Sequence, residues 1–331
     1  MLAEYLTQKV WCHRLQSTPE IARKLYHAAS DIFIAERQRQ LSLTKRVEKV
    51  TVLCHGVRDS ANPVKLFMNK NLSTPYSCTR HLGEPYIKQT AISLVNGKPH
   101  HMHEPLTDDC EIEFLHFKQD DPSIVNKAFW RSCSFVLGSV LDIVFKQEHG
   151  VQLCESRDFP IESGSFAYDF KAKLGNWQPT QMELQIMSQA IKKFSYRNGR
   201  HAFIQPLTTS IEKAKEIFHS SRDKLAQLER LSATQDTASL YQMARHVDVI
   251  DGPLISNIGH IGRFTITAIH KLKEEGDGVC LYRAQGVALP ASITMHSWTY
   301  QSLVANAMPL NESEEIVEED GEEKPSLESH Q

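Results

Sequence analysis

The stretch from Asp121 to Phe145 constrains the fold more than any other. Val125, Phe129, Val136, Val140 and Val144 recur at helical spacing, and Asp121 with Pro122 supplies a cap and first turn, so one long helix is predicted. Its most apolar part, Ser134 to Phe145, is the best apolar run in the chain. It carries Asp142 and falls short of the roughly 18 uncharged residues a membrane-spanning helix needs. No membrane span is expected, and the chain reads as soluble. The helix must therefore find its partners inside a protein core. With 41% hydrophobic residues among 331, there is apolar material for two or three domains of roughly 100 to 200 residues.

Upstream of that helix lies a compact α+β rhythm. Val50 to Val57 and Lys65 to Met68 read as strands, and Thr74 before Pro75 gives an N-cap oxygen followed by a first-turn proline, so a short helix starts there. Ile87 to Val95 reads as a strand entering Asn96-Gly97, the dipeptide that best tolerates a tight hairpin turn. Glu111 and Glu113 alternating with Ile112 and Phe114 predict a last strand with one face buried. A small mixed sheet over one helix is the expected outcome. Downstream of the long helix, Thr180-x-x-Glu183 and Thr209-x-x-Glu212 match the capping-box pattern. Each is followed by an apolar face, Leu184, Met187, Ile191 and Phe194 in one case and Ile211, Ala214, Ile217 and Phe218 in the other. Phe264 to Ile269 and Val279 to Leu289 read as strands.

Charge divides the chain unevenly. Residues 311–331 hold nine acids and one base, a charge of −8, so the whole-chain value of −3 leaves +5 on the remaining 310 residues. So acidic a tail self-repels, buries little and is expected to be disordered. Arg37, Arg39, Lys45, Arg46 and Lys49 fall in a polar stretch with little hydrophobic periodicity, which predicts an exposed basic arm or linker. Lys192, Lys193, Arg197 and Arg200 form a second basic group at a helix end. At the N-terminus, Leu2, Tyr5, Leu6 and Val10 share a helical face among Lys9, Arg14, Arg23 and Lys24, with Glu4 and Glu20 as the acids. That pattern suits a mitochondrial presequence and equally an ordinary amphipathic helix.

Catalytic and metal signals are thin. The 7 cysteines are odd in number and form no C-x-x-C pair, which argues against a disulfide framework or zinc ribbon and for a reducing compartment. His100, His101 and His103 look like a metal cluster, but adjacent histidines point to opposite faces, so surface positions are expected. Cys133 reads as a small buried hydrophobe, and Asp251, His246 and His260 as loop or strand-end polar residues. No phosphate-binding glycine loop, nucleophile elbow or dinucleotide fingerprint occurs.

Four strings, in order, resemble the front part of threonyl-tRNA synthetase. AISLVNGKPHHMHEPLTDDCEIEFLHF, from Ala91 to Phe117, looks like the end of a TGS domain. FWRSCSFVLG (Phe129 to Gly138), FPIESGSFAYD (Phe159 to Asp169) and DVIDGPLI (Asp248 to Ile255) look like strings of the editing domain. The resemblance implies an α+β chain: a ubiquitin-like β-grasp (TGS) domain over 47–118, then an editing-like α+β domain over 121–310. An N-terminal extension over 1–46 would precede them and the acidic tail over 311–331 would follow. In the synthetases, editing needs H-x-x-x-H on the helix and C-x-x-x-H in the later loop. Here those positions are Arg131, Phe135, Ile250 and Leu254. Arginine has no lone pair to offer and the other three have no polar side-chain atom, so metal binding and water activation are expected to be lost. No part resembling the synthetase's aminoacylation domain follows Leu310, so aminoacylation is not expected.

RQLSLTKRV (Arg39 to Val47) and FMNKNLSTPYSC (Phe67 to Cys78) are similar to a narrower family, mitochondrial large-ribosomal-subunit protein thirty-nine, which shares the replaced ligand positions. This resemblance implies a structural role on the mitochondrial ribosome in the matrix. The partners would be mitochondrial large-subunit ribosomal RNA and other mitochondrial ribosomal proteins, without cofactor, metal or small-molecule substrate. Arg37, Arg39, Lys45, Arg46 and Lys49 are the candidate RNA contacts. The alternative is a freestanding tRNA-binding or editing factor derived from the same synthetase. Whether Phe135, Ile250 and Leu254 form core or a docking surface is left open by sequence, with core expected.

Overall fold

The computed structural model describes residues 20–44, 46–57, 62–192 and 203–313, and these form a mixed α+β structure with three sheets. The chain first enters helix α1 (Glu20–Ser42). This corrects the expected arm, because Arg37 and Arg39 lie in the helix and only the residues after Ser42 leave it. The helix has a core of its own, since fully buried Phe33 packs with Leu207, Ile211 and Phe218, and Ala29 and Ile32 lie against the same cluster. The polar stretch from Arg37 to Lys49 begins inside this helix and leaves out the apolar residues that anchor it.

The next unit is a five-stranded sheet. Strands β1 (Lys49–Cys54) and β2 (Val64–Asn69) pair antiparallel. They are followed by helices α2 (Pro75–Leu82) and α3 (Glu84–Gln89), then β3 (Ile92–Val95), β4 (Lys98–His100) and β5 (Cys110–Leu115). The sheet order is β2-β1-β5-β3-β4, with β5 running parallel to β1 and the other neighbours antiparallel. Thr74 caps α2 as expected, accepting from the Ser77 amide while Ser77 returns the bond. The β3–β4 turn has both Asn96 and Gly97 at positive φ, the conformation that favours this dipeptide. Residues 87–89 are helical rather than extended, because Pro85 in the first turn sets up α3. Val52, Cys54, Cys78 and Ile112 fill the space between this sheet and α2.

The long predicted helix is α4 (Ser123–Val144). Every residue from Arg131 to Leu141 is buried, because α4 contacts strands of two different sheets. One sheet, in order β11-β12-β7-β6, combines β6 (Gln152–Arg157), β7 (Phe166–Ala172), β11 (Ile261–Gly276) and β12 (Val279–Pro290). The helix lies so close that a Cβ on Gly138 would sit 2.5 Å from the Tyr168 ring. The other sheet combines β8 (Gln205–Ser210), β9 (Thr237–Met243) and β10 (His246–Val249), with β9 central. Helices α5 (Gln181–Gln189), α6 (Ile211–Ile217) and α7 (Arg222–Leu231) surround them. Thr180 and Glu183 cap α5 reciprocally, as their spacing predicts. At α6 the cap is Ser210, which accepts from the Lys213 amide, while Thr209 is a buried strand residue one position too early.

Helix α8 (Ser297–Asn306) closes the described chain, and the segment after it lies across β12. Gln285 donates to Ala307 O (2.7 Å), Arg283 Nη1 to Asn311 O (2.7 Å), and Asn311 Nδ2 to Ser163 Oγ (2.8 Å). Asn311, expected to begin the tail, is therefore buried, and order continues to Ser313. The acidic positions from Glu314 onward lie outside the described residues, as do Met1 to Pro19 with the presequence pattern. No described helix is long and apolar enough to cross a membrane.

Candidate functional site

Helix α4 and the loop after β10 bring Arg131, Phe135, Ile250 and Leu254 into one region. The two helix positions are one turn apart and share a face. Ser132 Oγ accepts from the Ile255 amide (2.9 Å) and Tyr241 donates to Gly252 O (3.0 Å), so the loop is tied both to the helix and to β9. Phe135 and Leu254 are fully buried and Ile250 nearly so, all in the same apolar cluster.

Arg131 is buried and held. Its Nε donates to Asp158 Oδ2 (2.7 Å) and its Nη2 reaches the same oxygen (2.7 Å). A Cβ built on Gly252 would fall 2.0 Å from Arg131 Nη1, and Gly252 has φ +90°. Only glycine therefore suits this loop position, both for its backbone and for the guanidinium beside it. A guanidinium already bonded to a carboxylate offers neither a base nor a metal ligand.

Neighbouring groups do not rebuild chemistry there. Cys133 is fully buried, and desolvation holds its thiol well above the usual range, so it is no nucleophile. His246 packs its ring against Phe135 at 5.0 Å. Burial lowers its pKa to about 4, so it stays neutral. His260 Nε2 sits 3.1 Å from Ser256 Oγ, and Asp251 is exposed. Among the described residues, no group of three or more His, Cys, Asp or Glu is arranged to hold a metal.

The histidines beside the β3–β4 hairpin are not on the surface as expected. His101 is fully buried with its ring 5.5 Å from Tyr241, and His103 lies between Tyr76 and Phe203, each at 4.8 Å. Desolvation drives the His101 pKa well below its ordinary value and that of His103 to about 4. They are covered because the segment after β4 lies against Tyr241 of β9 and against Phe203, contacts that local sequence does not encode.

Sequence reading also missed a buried polar network. Lys224 on α7 pairs with Asp248, which accepts from the Tyr168 hydroxyl at 2.6 Å, and Gln227 donates to Val249 O (3.3 Å). Lys224, Asp248 and Tyr168 are all buried. Asp248 stands in a recognisable string, but nothing near Lys224 in the sequence marks it as inward-facing.

The candidate RNA contacts meet different fates. Arg37 is half-buried. Arg39 forms a two-pronged pair with Glu36, Nε to Oε2 and Nη2 to Oε1, each 2.7 Å. That bond holds the Glu36 carboxyl below its usual range. Arg46 is exposed, and Lys49 donates to Asn69 Oδ1. Lys45 lies outside the described residues, as do Lys193, Arg197 and Arg200, while Lys192 is exposed.

No family model matches the chain. Large ribosomal subunit protein mL39 of Drosophila melanogaster is 36% identical over 269 residues, covering 81% of this chain and 79% of that protein. The mitochondrial threonine–tRNA ligase of Rattus norvegicus is 26% identical over 68% of this chain but only 30% of its own length. The cytoplasmic threonine–tRNA ligase 2 of Homo sapiens is 24% identical over 81% of this chain and 33% of its own. The likeness to the ligases thus concerns about a third of each.

Proposed function

The chain belongs to the mL39 family of large ribosomal subunit proteins, and from that premise we propose that it is a structural constituent of the mitochondrial large ribosomal subunit. It derives from the front part of threonyl-tRNA synthetase, works in the mitochondrial matrix and is not an enzyme. Its partners are mitochondrial large-subunit ribosomal RNA and neighbouring mitochondrial ribosomal proteins. The single observation that carries this reading is the 36% identity extending over most of both chains.

The site supports it. Arg131, Phe135, Ile250 and Leu254 occupy the positions of the synthetase's editing ligands, and their burial leaves nothing to activate water. We read residues 47–118 as a TGS β-grasp, a reading supported by the sheet order and by the helix pair between β2 and β3. Residues 121–310 are the degenerate editing-like domain, 1–46 an extension and 311–331 an acidic tail. Arg37, Arg39, Lys45, Arg46 and Lys49 are the candidate RNA contacts.

Sucrose-gradient fractionation of mitochondria tests the ribosomal reading. Nearly all of the protein should migrate with large subunits and monosomes, and a peak at the top of the gradient would overturn it. The likeness to the ligases favours one rival, a freestanding editing factor. In a single-turnover assay, seryl-tRNA(Thr) should decay at the same rate with and without the full chain. A protein-dependent rate would favour the rival.

A further inference from the structure

The cations of residues 37–49 are not equivalent, and their partners separate them. Arg39 is committed to Glu36, and Lys49 to Asn69. Arg37 lies two residues before Arg39, about 200° around the helix, and faces the β8–β9 side instead. Among the described residues it has no carboxylate partner, and burial alone lowers its guanidinium below the ordinary value. A half-buried cation left in this state costs stability unless an anion answers it.

Arg37 lines a cavity of about 390 Å³ together with Ile34, Gln38, Phe203, Gln205 and Gln242. None of the lining residues is acidic, and the Gln242 amide nitrogen already serves Ser30 Oγ at 2.8 Å. A second cavity, about 380 Å³, also touches Arg37 and contains Glu104. That carboxylate accepts from the Thr208 hydroxyl (3.2 Å) and faces His100 Nδ1 (3.6 Å), and it disfavours a second anion on its side. The acid-free cavity is therefore the side open to negative charge.

We propose that this cavity receives a phosphate group of an RNA strand, with the Arg37 guanidinium as its charge partner and the Gln38 and Gln205 amides as neutral donors. The assignment of RNA as the source rests on the ribosomal reading above. An arginine fork matches phosphate oxygens in charge and geometry, and a contact of this kind positions a strand without reading its bases.

The test uses the full chain and a fluorescein-labelled uridine 12-mer, followed by anisotropy at several salt concentrations. Arg37→Gln should weaken binding about tenfold and make the salt slope shallower by roughly 0.7, the value of one phosphate contact on a single strand. Arg37→Lys should recover part of the loss, and Gln205→Glu, which puts a carboxylate in the cavity, should weaken binding as Arg37→Gln does. Arg230→Gln, which removes an exposed cation paired with Glu155 and outside the candidate RNA contacts, should stay within twofold of wild type. Equal effects of the Arg37 and Arg230 substitutions, or none from Arg37→Gln with melting temperature unchanged, would overturn the proposal. So would inorganic phosphate binding lost in Arg37→Gln without any binding of the 12-mer, which would make the source free phosphate. Co-sedimentation with large subunits separates the two readings. Wild type failing to co-sediment defeats the ribosomal reading. Wild type and Arg37→Gln co-sedimenting alike, with equal 12-mer affinity, defeats only the phosphate site.

Discussion

Arg131 and Arg37 are both inward-facing arginines on long helices, and they differ in what meets them. Arg131 finds Asp158 on one side and the bare backbone of Gly252 on the other, so its charge is answered within the fold. Arg37 reaches a cavity lined by amides and an aromatic ring, with no acid among the lining residues. The first arrangement is closed and stabilising, and the second is open toward an outside partner. Residue type alone does not separate structure from recognition, but the presence or absence of an internal counter-charge does.

The largest test of the closed region is the buried network beside it. Asp248→Ala leaves Lys224 buried without its partner and should cost about 3–5 kcal/mol in chemical denaturation. A cost under about 1 kcal/mol would mean that water reaches Lys224 and that the region is not closed. Next, Phe135→His puts an imidazole inside an apolar cluster beside neutral His246. It should destabilise by roughly 2–3 kcal/mol and confer no deacylation of seryl-tRNA(Thr). Measurable turnover would show that the pocket still admits water.

Acid gives a smaller effect. His246 and His103 have pKa values pushed down to about 4, whereas the unfolded chain takes up these protons near 6.5. Below about pH 6.5 the unfolded state binds more protons, so stability falls as pH drops toward 4. The slope approaches about 1.4 kcal/mol per pH unit for each histidine. His246→Gln should remove about one proton from that slope, and an unchanged pH profile would show that its ring is not protected. The smallest effect belongs to a pair on α1 that is buried at Glu36 and exposed at Arg39. Glu36→Gln breaks the pair with Arg39, whose side chain is more than half exposed, and should cost no more than about 1 kcal/mol. A larger loss would place Arg39 among the closed, structural arginines.

Much of this architecture was legible where the signal is local. The period of α4, the Thr74 and Thr180 caps and the Asn96-Gly97 turn each depend on residues within a turn or two of one another. The burial of Phe135, Ile250 and Leu254 could be expected from their apolar character once they were assigned to one region. What escaped depends on distant surfaces. Phe33 is buried by α6 and its neighbours, His101 by Tyr241 of β9, His103 by Tyr76 and Phe203, and Lys224 by an aspartate in another element. Asn311 follows the same pattern, since its polar side chain is satisfied by Ser163 and Ser165. The shift of the α6 cap from Thr209 to Ser210 has a different cause. Both residues can cap and both pair in the strand, but Thr209 is buried and Ser210 exposed, and only Ser210 directly precedes the helix.

The interlock of Arg131 with Gly252 also bears on evolutionary reversibility. The guanidinium fills the space that any side chain at position 252 would need, while the loop carrying Gly252 also carries Ile250 and Leu254. Shortening Arg131 to histidine strands Asp158, and restoring polar ligands at 135, 250 or 254 one at a time buries each in an apolar cluster before its companions exist. Each first step away from the present arrangement is uphill. On the proposed descent from an editing domain, the fold therefore works as a ratchet, in which packing, rather than the absence of any one histidine, bars the way back to hydrolysis.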